Sequence, residues 1–308
     1  MVIPSAYPTI YKPRSHPPNS HHFISLKSLE PSISGPIVFQ PKPNPVQSTS
    51  PSTSRARDNP IQLKMSPIAL ITGSNQGIGR ATAEALAINH GFHVLITSRN
   101  LAAGEAVASS LRAKGHKATA IQLDLTSESS IKAAVAFVEQ EFGALDVLIN
   151  NAGILIDVQK DLSPWELYTR TFTTNVVGPG VLTELLVPLL RKAPSGLPRI
   201  IFVTSAMGSL HYATDKSLPW YGIDYKVYDA SKAAVNMLML NFARVLEEGN
   251  GKGKVNAVCP GYVNTNLTRF DENGVSVEMG ARRVVEVAVA GEEGPNRTFS
   301  NASGELPW

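Results

Sequence analysis

The chain has 308 residues, 43% hydrophobic and 17% charged, with a formal net charge of +3, enough to bury a core of one or two domains. The charge is lopsided: residues 1–65 carry seven Lys/Arg against two Asp/Glu, which leaves residues 66–308 at −2. The basic excess thus belongs to the front segment, which argues against a nucleic-acid face on the remainder. The single cysteine, Cys259, excludes an intramolecular disulfide and a cysteine-built zinc site.

Residues 1–65 hold 12 of the 22 prolines and 11 serines, too little apolar surface to offset the entropy of ordering, so a disordered extension is expected. The segment is basic and acid-poor, as transit peptides are, but Pro13, Pro17, Pro18, Pro41, Pro43 and Pro45 interrupt any long amphipathic helix. It reads as an import segment or, because Met65 stands directly before Ser66-Pro67 and a strand, as sequence upstream of the true start. No secretory h-region follows Met1, and no run approaches the ~18 apolar residues of a membrane span. The sequons at Asn266, Asn296 and Asn301 then read as chance, and a reduced, cytoplasmic compartment is expected.

From residue 68 the chain alternates. IALIT (68–72), HVLIT (93–97), ATAIQL (118–123), LDVLIN (145–150), RIIFVTS (199–205) and KVNAVC (254–259) are apolar runs expected of strands covered on both faces. Helix-period segments lie between and after them at 80–89, 102–114, 127–142, 165–190 and 228–248. The pattern predicts an α/β fold, a doubly wound, Rossmann-like parallel sheet in a single domain over 66–308, with ligands at its carboxyl edge.

The first strand runs into TGSNQGIGR, where Gly73, Gly77 and Gly79 allow tight turning and close approach, and the helix that follows would meet a pyrophosphate with free N–H groups. The second strand ends TSRN, so Arg99 stands 20 residues after Gly79, and the first acid after that strand is Glu105. A carboxylate there would bind the ribose 2′-hydroxyl of NAD; an arginine fork, with Ser98 as a second donor, suits the phosphate of NADP(H). Tyr228 and Lys232 lie four apart at the start of a long helix, so they share a face, and the ammonium is expected to lower the phenol pKa for acid–base work. Tyr212 and Lys216 repeat the spacing, but Pro219 prevents an extended helix there.

TGSNQGIG, Asp124-Leu125, NNAG (150–153), Asn175, Ser205, YDASK (228–232) and PGYVNT (260–265), in this order, resemble the short-chain dehydrogenase/reductase family over essentially all of 66–308. The 22 residues between Ser205 and Tyr228 and the ending GEEGPNRTFSNASGELPW (291–308) are similar to its carbonyl reductase branch, including fungal members. The resemblance implies Asn175, Ser205, Tyr228 and Lys232 as catalytic residues: Tyr228 as proton donor, Lys232 on the nicotinamide ribose, Ser205 on the substrate oxygen, and Asn175 on backbone and a relay water. It implies a cofactor surface of Gly73, Ser74, Asn75, Gln76, Gly77, Ile78, Gly79, Ser98, Arg99, Asp124, Leu125, Asn151, Ala152, Gly153, Pro260, Gly261, Val263 and Thr265, with Asn150 shaping its floor. Asp124 would meet adenine; Val263 and Thr265 would meet the carboxamide.

The expected reaction is NADPH-dependent reduction of an aldehyde or ketone, as a tailoring step on a polyketide-like or other secondary metabolite. The alternatives are an NAD-linked secondary alcohol dehydrogenase and a non-catalytic NADP-sensing regulator, which would typically have lost Tyr228 or Lys232. His211, Tyr212, Trp220, Tyr221 and Tyr225 make the insertion aromatic, suited to a flat carbonyl compound or to a partner subunit, and 266–283 reads as a mobile substrate lid with helix resuming near Val277. Monomer and homo-oligomer stay open, and no metal, membrane or nucleic-acid partner is expected.

Overall fold

The computed structural model describes residues 66–248 and 251–308. The Pro/Ser-rich segment 1–65, with its expected disorder, lies outside the described residues.

The sheet forms where the apolar runs predict it. Strands β1 (Ile68–Ile71), β2 (His93–Ser98), β3 (Ala118–Gln122), β4 (Val147–Asn150), β5 (Arg199–Val203) and β6 (Lys254–Val258) pair in parallel in the order β3-β2-β1-β4-β5-β6. Ile71 and Ile149 stand in register across the central pair. Two further strands escape the apolar-run signal because they are short and polar: β7 (Phe299–Asn301) extends the sheet parallel to β6, and β8 (Gly304–Glu305) turns back antiparallel.

Helices α1 (Gly77–His90), α2 (Leu101–Ala113), α3 (Glu128–Phe142), α4 (Pro164–Phe172), α5 (Gly178–Leu190), α6 (Leu210–Ala213), α7 (Lys226–Glu247) and α8 (Val277–Val289) complete the fold. The buried side chains form two clusters. One joins Leu70, Leu148, Ile200 and Phe202 to α3, α5 and α7; the other joins Ile71, Ile96 and Ile149 to α1, α2 and α8. This is the sheet covered on both faces that continuous β-branched strands require.

The predicted helix 165–190 is not continuous. Ser163 and Glu166 cap α4 reciprocally and Pro164 occupies its first turn, but a π-helical turn, Thr173–Val177, separates it from α5. Gly178 follows because a Cβ there would lie 2.3 Å from the Leu125 carbonyl oxygen. The run Pro164–Leu190 has the length and hydropathy to cross a bilayer, contrary to the reading of the sequence, but half of that window is buried, with Leu182, Leu186 and Leu190 in the sheet core.

Strand order reverses beside β1, since the chain runs β1-β2-β3 outward and returns to place β4 on the other flank. The crevice at the carboxyl ends of β1 and β4 is where such a sheet binds a ligand.

Candidate active site

The loop after β1 is stitched by hydroxyls. Ser74 Oγ donates to the Ile71 carbonyl (2.8 Å) and accepts the Thr97 N–H (3.0 Å); Thr97 Oγ1 donates to the same Ile71 carbonyl (2.9 Å) and accepts the Gly73 N–H (3.2 Å). The Ser74 side chain is therefore spent on the turn. Gly73 and Gly77 take positive φ (63° and 55°), and a Cβ on Gly79 would lie 2.5 Å from Asn151 Nδ2, so the turn closes only with glycine.

Residues 151–153 dock on that turn. Thr72 Oγ1 accepts the N–H groups of Asn151 and Ala152 (2.9 Å each), and Asn151 Nδ2 donates to the Thr72 carbonyl (2.9 Å). The Asn150 amide points into the core and donates to Thr183 Oγ1 of α5 (2.9 Å). The Leu125 side chain is likewise in the core.

The arrangement fits a nicotinamide dinucleotide. Gln76, which precedes α1, makes no side-chain cap bond, and no acidic residue sits in the first turn, so the helix presents free N–H groups to an anion. Thr265 lies over Gly77, and Val263 pairs with Val275 to hold the 260–265 loop against α8. Arg99 is exposed at the end of β2 and faces Asp124. Burial raises the Asp124 pKa, but two hydrogen bonds from Thr126 and the Arg99 charge outweigh it, so the carboxyl sits below its ordinary value.

Tyr228 and Lys232 lie on one face of α7, both buried, at 7% and 5% exposure. Lys232 Nζ donates to the Val203 carbonyl at the end of β5 (3.0 Å) and stands 5.5 Å from the Tyr228 ring centroid. Burial pulls the ammonium down to about 8, only partly opposed by Cys259. The expected lowering of the phenol is not found: burial, reinforced by Cys259, pushes Tyr228 well above its ordinary value, and the neighbouring Ser205 hydroxyl opposes this only in part. The physical reason is that desolvation favours the neutral phenol, while the Lys232 ammonium, itself pulled down by burial, loses its proton before the phenol would ionise.

Asn175, in the π-helical turn, is 2% exposed. Its Nδ2 donates to the Ile154 carbonyl (2.9 Å) and to Ser231 Oγ (3.0 Å), and its Oδ1 accepts the Ile154 N–H (2.8 Å). Ser231 Oγ in turn donates to the Tyr228 carbonyl (2.6 Å). A Cβ on Gly153 would lie 3.4 Å from both Asn175 Oδ1 and Lys232 Nζ, which places these two polar groups around one spot. The four expected catalytic side chains therefore converge at the carboxyl ends of β4 and β5.

By contrast, α6 ends at Ala213, so Lys216 shares no helix with Tyr212. Sequence reasoning missed Thr72, Thr97 and Ser231, whose hydroxyls position the site, and the buried Cys259, whose Sγ accepts the Ala206 N–H (3.2 Å). Among the described residues no cluster of His, Cys, Asp and Glu forms a metal site.

In the insertion, Tyr212 and Trp220 pack edge to face at 6.3 Å, while Tyr221 is exposed. The expected lid segment carries a short 3₁₀ turn, Asn266–Thr268, then Arg269 and Phe270 at positive φ with Phe270 exposed; Tyr262 donates to Asp271 Oδ2 (2.5 Å) across it.

Residues 67–275 match the family model described as short chain dehydrogenase. The chain is 37% identical over 229 residues to short-chain dehydrogenase anuI of Penicillium roqueforti, covering 73% of this chain and 89% of that protein. It is 31% identical over 278 residues to carbonyl reductase [NADPH] 1 of Sus scrofa, covering 78% and 94%. The NADPH-bound carbonyl reductase from chicken fatty liver superposes with a TM-score of 0.68 at 28% identity, covering 79% of this chain and 99% of that one.

Proposed function

The chain belongs to the short-chain dehydrogenase/reductase family, oxidoreductases that act on carbonyl and alcohol groups with a nicotinamide cofactor, and on that premise we propose that it is an NADPH-dependent carbonyl reductase. The observation that carries the reading is the convergence of buried Tyr228 and Lys232 with Ser205 and Asn175 at the ligand edge of the sheet.

The cofactor supplies the hydride; the chain binds it, orients the carbonyl and delivers a proton. The N-terminus of α1 holds the pyrophosphate, and Arg99 holds the 2′-phosphate. That assignment is supported by the lack of an acid at the end of β2 and by relatives named for NADPH. Ser205 holds the carbonyl oxygen. Tyr228, kept protonated by its burial, is in the state a general acid needs for reduction. Lys232 would hold the nicotinamide ribose, and Asn175 with the 153–154 backbone would complete the path that returns the proton.

The aromatic insertion suits a flat, apolar ketone, consistent with a cytoplasmic tailoring step on a secondary metabolite. The test follows NADPH oxidation by the full chain over quinones, aromatic aldehydes, diketones and polycyclic ketones. Tyr228→Phe should lose at least about 100-fold in kcat, the usual worth of a placed proton donor. Unchanged turnover in that variant, or a higher kcat/KM with NADH, would overturn the assignment.

A further inference from the structure

Helix α7 carries the proton donor in its first turn, yet its own N-cap, Tyr225, makes no side-chain cap bond. The cap comes from 70 residues away: Asp157, in the connection between β4 and α4, accepts the Val227 N–H (2.9 Å) and the Tyr228 N–H (3.4 Å) on Oδ1. Three residues earlier in the same connection, Ile154 holds Asn175, Asn175 holds Ser231, and Ser231 holds the Tyr228 carbonyl. Segment 154–157 thus grips the peptide groups on both sides of Tyr228.

Resting on the reading of Tyr228 as the acid, we propose that Asp157 is a positioning residue for the reaction: its carboxylate sets the first turn of α7 and ties the Tyr228 phenol to the loop that follows Gly153. A carboxylate at a helix N-terminus is favoured by the dipole and satisfies donors that would otherwise be orphaned. An ordinary local cap would do the same for the helix, but it would not link the tyrosine to the residues lining the opposite side of the crevice.

The surroundings make this cap sensitive to charge. Asp157 Oδ2 and Asp229 Oδ1 are both buried without a hydrogen-bond partner. Asp224 of the insertion, paired with Lys226 at 2.7 Å, stands nearby, with Tyr168 on α4 and Tyr228 on α7. Burial, then Asp157, then Asp224 raise Asp229 to about 7. Below that pH Asp229 is neutral beside the cap; above it, two carboxylates face each other and the grip on the first turn is weakened.

The test compares Asp157→Ala, Asp157→Ser and Asp157→Asn in the full chain, reading kcat, KM for NADPH, the pH profile and amide exchange of the peptide spanning 226–232. Asp157→Ala should lower kcat about 10–100-fold, the scale of a misplaced reacting group, with KM for NADPH unchanged and exchange of 226–232 accelerated. Asp157→Asn keeps the Oδ1 acceptor and should recover most of kcat, and it should move the limb near pH 7 by removing the charge beside Asp229. Asp157→Ser, whose hydroxyl is one bond too short to reach the Val227 N–H, should behave as alanine and stands in for it if that variant does not fold. Equal kcat losses in alanine and asparagine, or wild-type exchange and kcat in alanine, would overturn the proposal. The exchange arm is independent of turnover, so it still decides the cap if the wild type reduces no carbonyl and the proposed function itself fails.

Discussion

Removal of the Asn175 amide tests the site and the fold together. The side chain is 2% exposed and makes three hydrogen bonds, to the N–H and C=O of Ile154 and to Ser231 Oγ. In Asn175→Ala the Ile154 peptide groups lose both partners, at about 1–3 kcal/mol each when buried. Ile154 is only partly buried, so water recovers some of this and the loss is set at about 2–4 kcal/mol. At roughly 2–4 °C per kcal/mol for a domain of this size, the melting temperature should fall by about 4–16 °C. A π-helical turn is an uncommon conformation, and alanine favours its relaxation to α-helix, which lies on the other side of the ledger and keeps the estimate from the upper end. The assay is a thermal melt of wild type and variant, with kcat measured well below the transition. A melting temperature within 1 °C of wild type, with kcat intact, would refute both the energetic weight given to these bonds and the role of the π-turn in presenting the amide.

Two other perturbations follow from charges. Arg99→Ala removes a fork worth about 1.5–3 kcal/mol to a phosphate, so KM for NADPH should rise about 10–100-fold while KM for NADH stays put; equal changes for both cofactors would remove Arg99 from the 2′-phosphate. Lys232→Met should abolish turnover and flatten the stability of the protein against alkaline pH. The folded pKa of about 8 lies below the 10.5 of the free side chain, so the penalty for burying the ammonium is complete below pH 8 and is relieved as pH rises to 10.5. Wild-type stability therefore gains across that window, by at most about 3.4 kcal/mol at 1.36 kcal/mol per unit, and the methionine variant lacks the gain; parallel urea-midpoint curves from pH 8 to 10 would contradict the burial of a titrating lysine.

What the sequence makes legible is whatever one element carries by itself. Tyr228 and Lys232 share a face because four residues make about one helical turn, and α7 is long enough to hold both. Arg99 is located just past the second strand by counting from a glycine turn, and the six parallel strands by their largely apolar runs. The parts that stay hidden need two distant segments at once. Nothing in TTNVV separates a π-turn from the α-helix around it; the turn is visible only through the bonds Asn175 makes to Ile154 and Ser231. Ser209 and His211 look like ordinary loop residues until Ser209 Oγ donates to the Pro307 carbonyl (2.8 Å), the His211 N–H donates to the Trp308 carbonyl (2.8 Å), and Trp308 packs on Phe299 at 5.5 Å.

The sign of the Tyr228 shift is hidden for the same reason. Spacing places an ammonium near a phenol and so predicts a lowered pKa, but the outcome depends on what else surrounds the pair. The end of β5 offers the ammonium a carbonyl, and the core withholds water from the phenol. Desolvation then exceeds attraction, and the phenol stays protonated. The same α7 turn that the sequence reads as a two-residue motif is held from outside by Asp157, Asn175 and Val203, contributed by the β4–α4 connection, the π-turn and β5. Local spacing thus picks out the pair, whereas its burial in the tertiary fold sets the protonation state from which it starts.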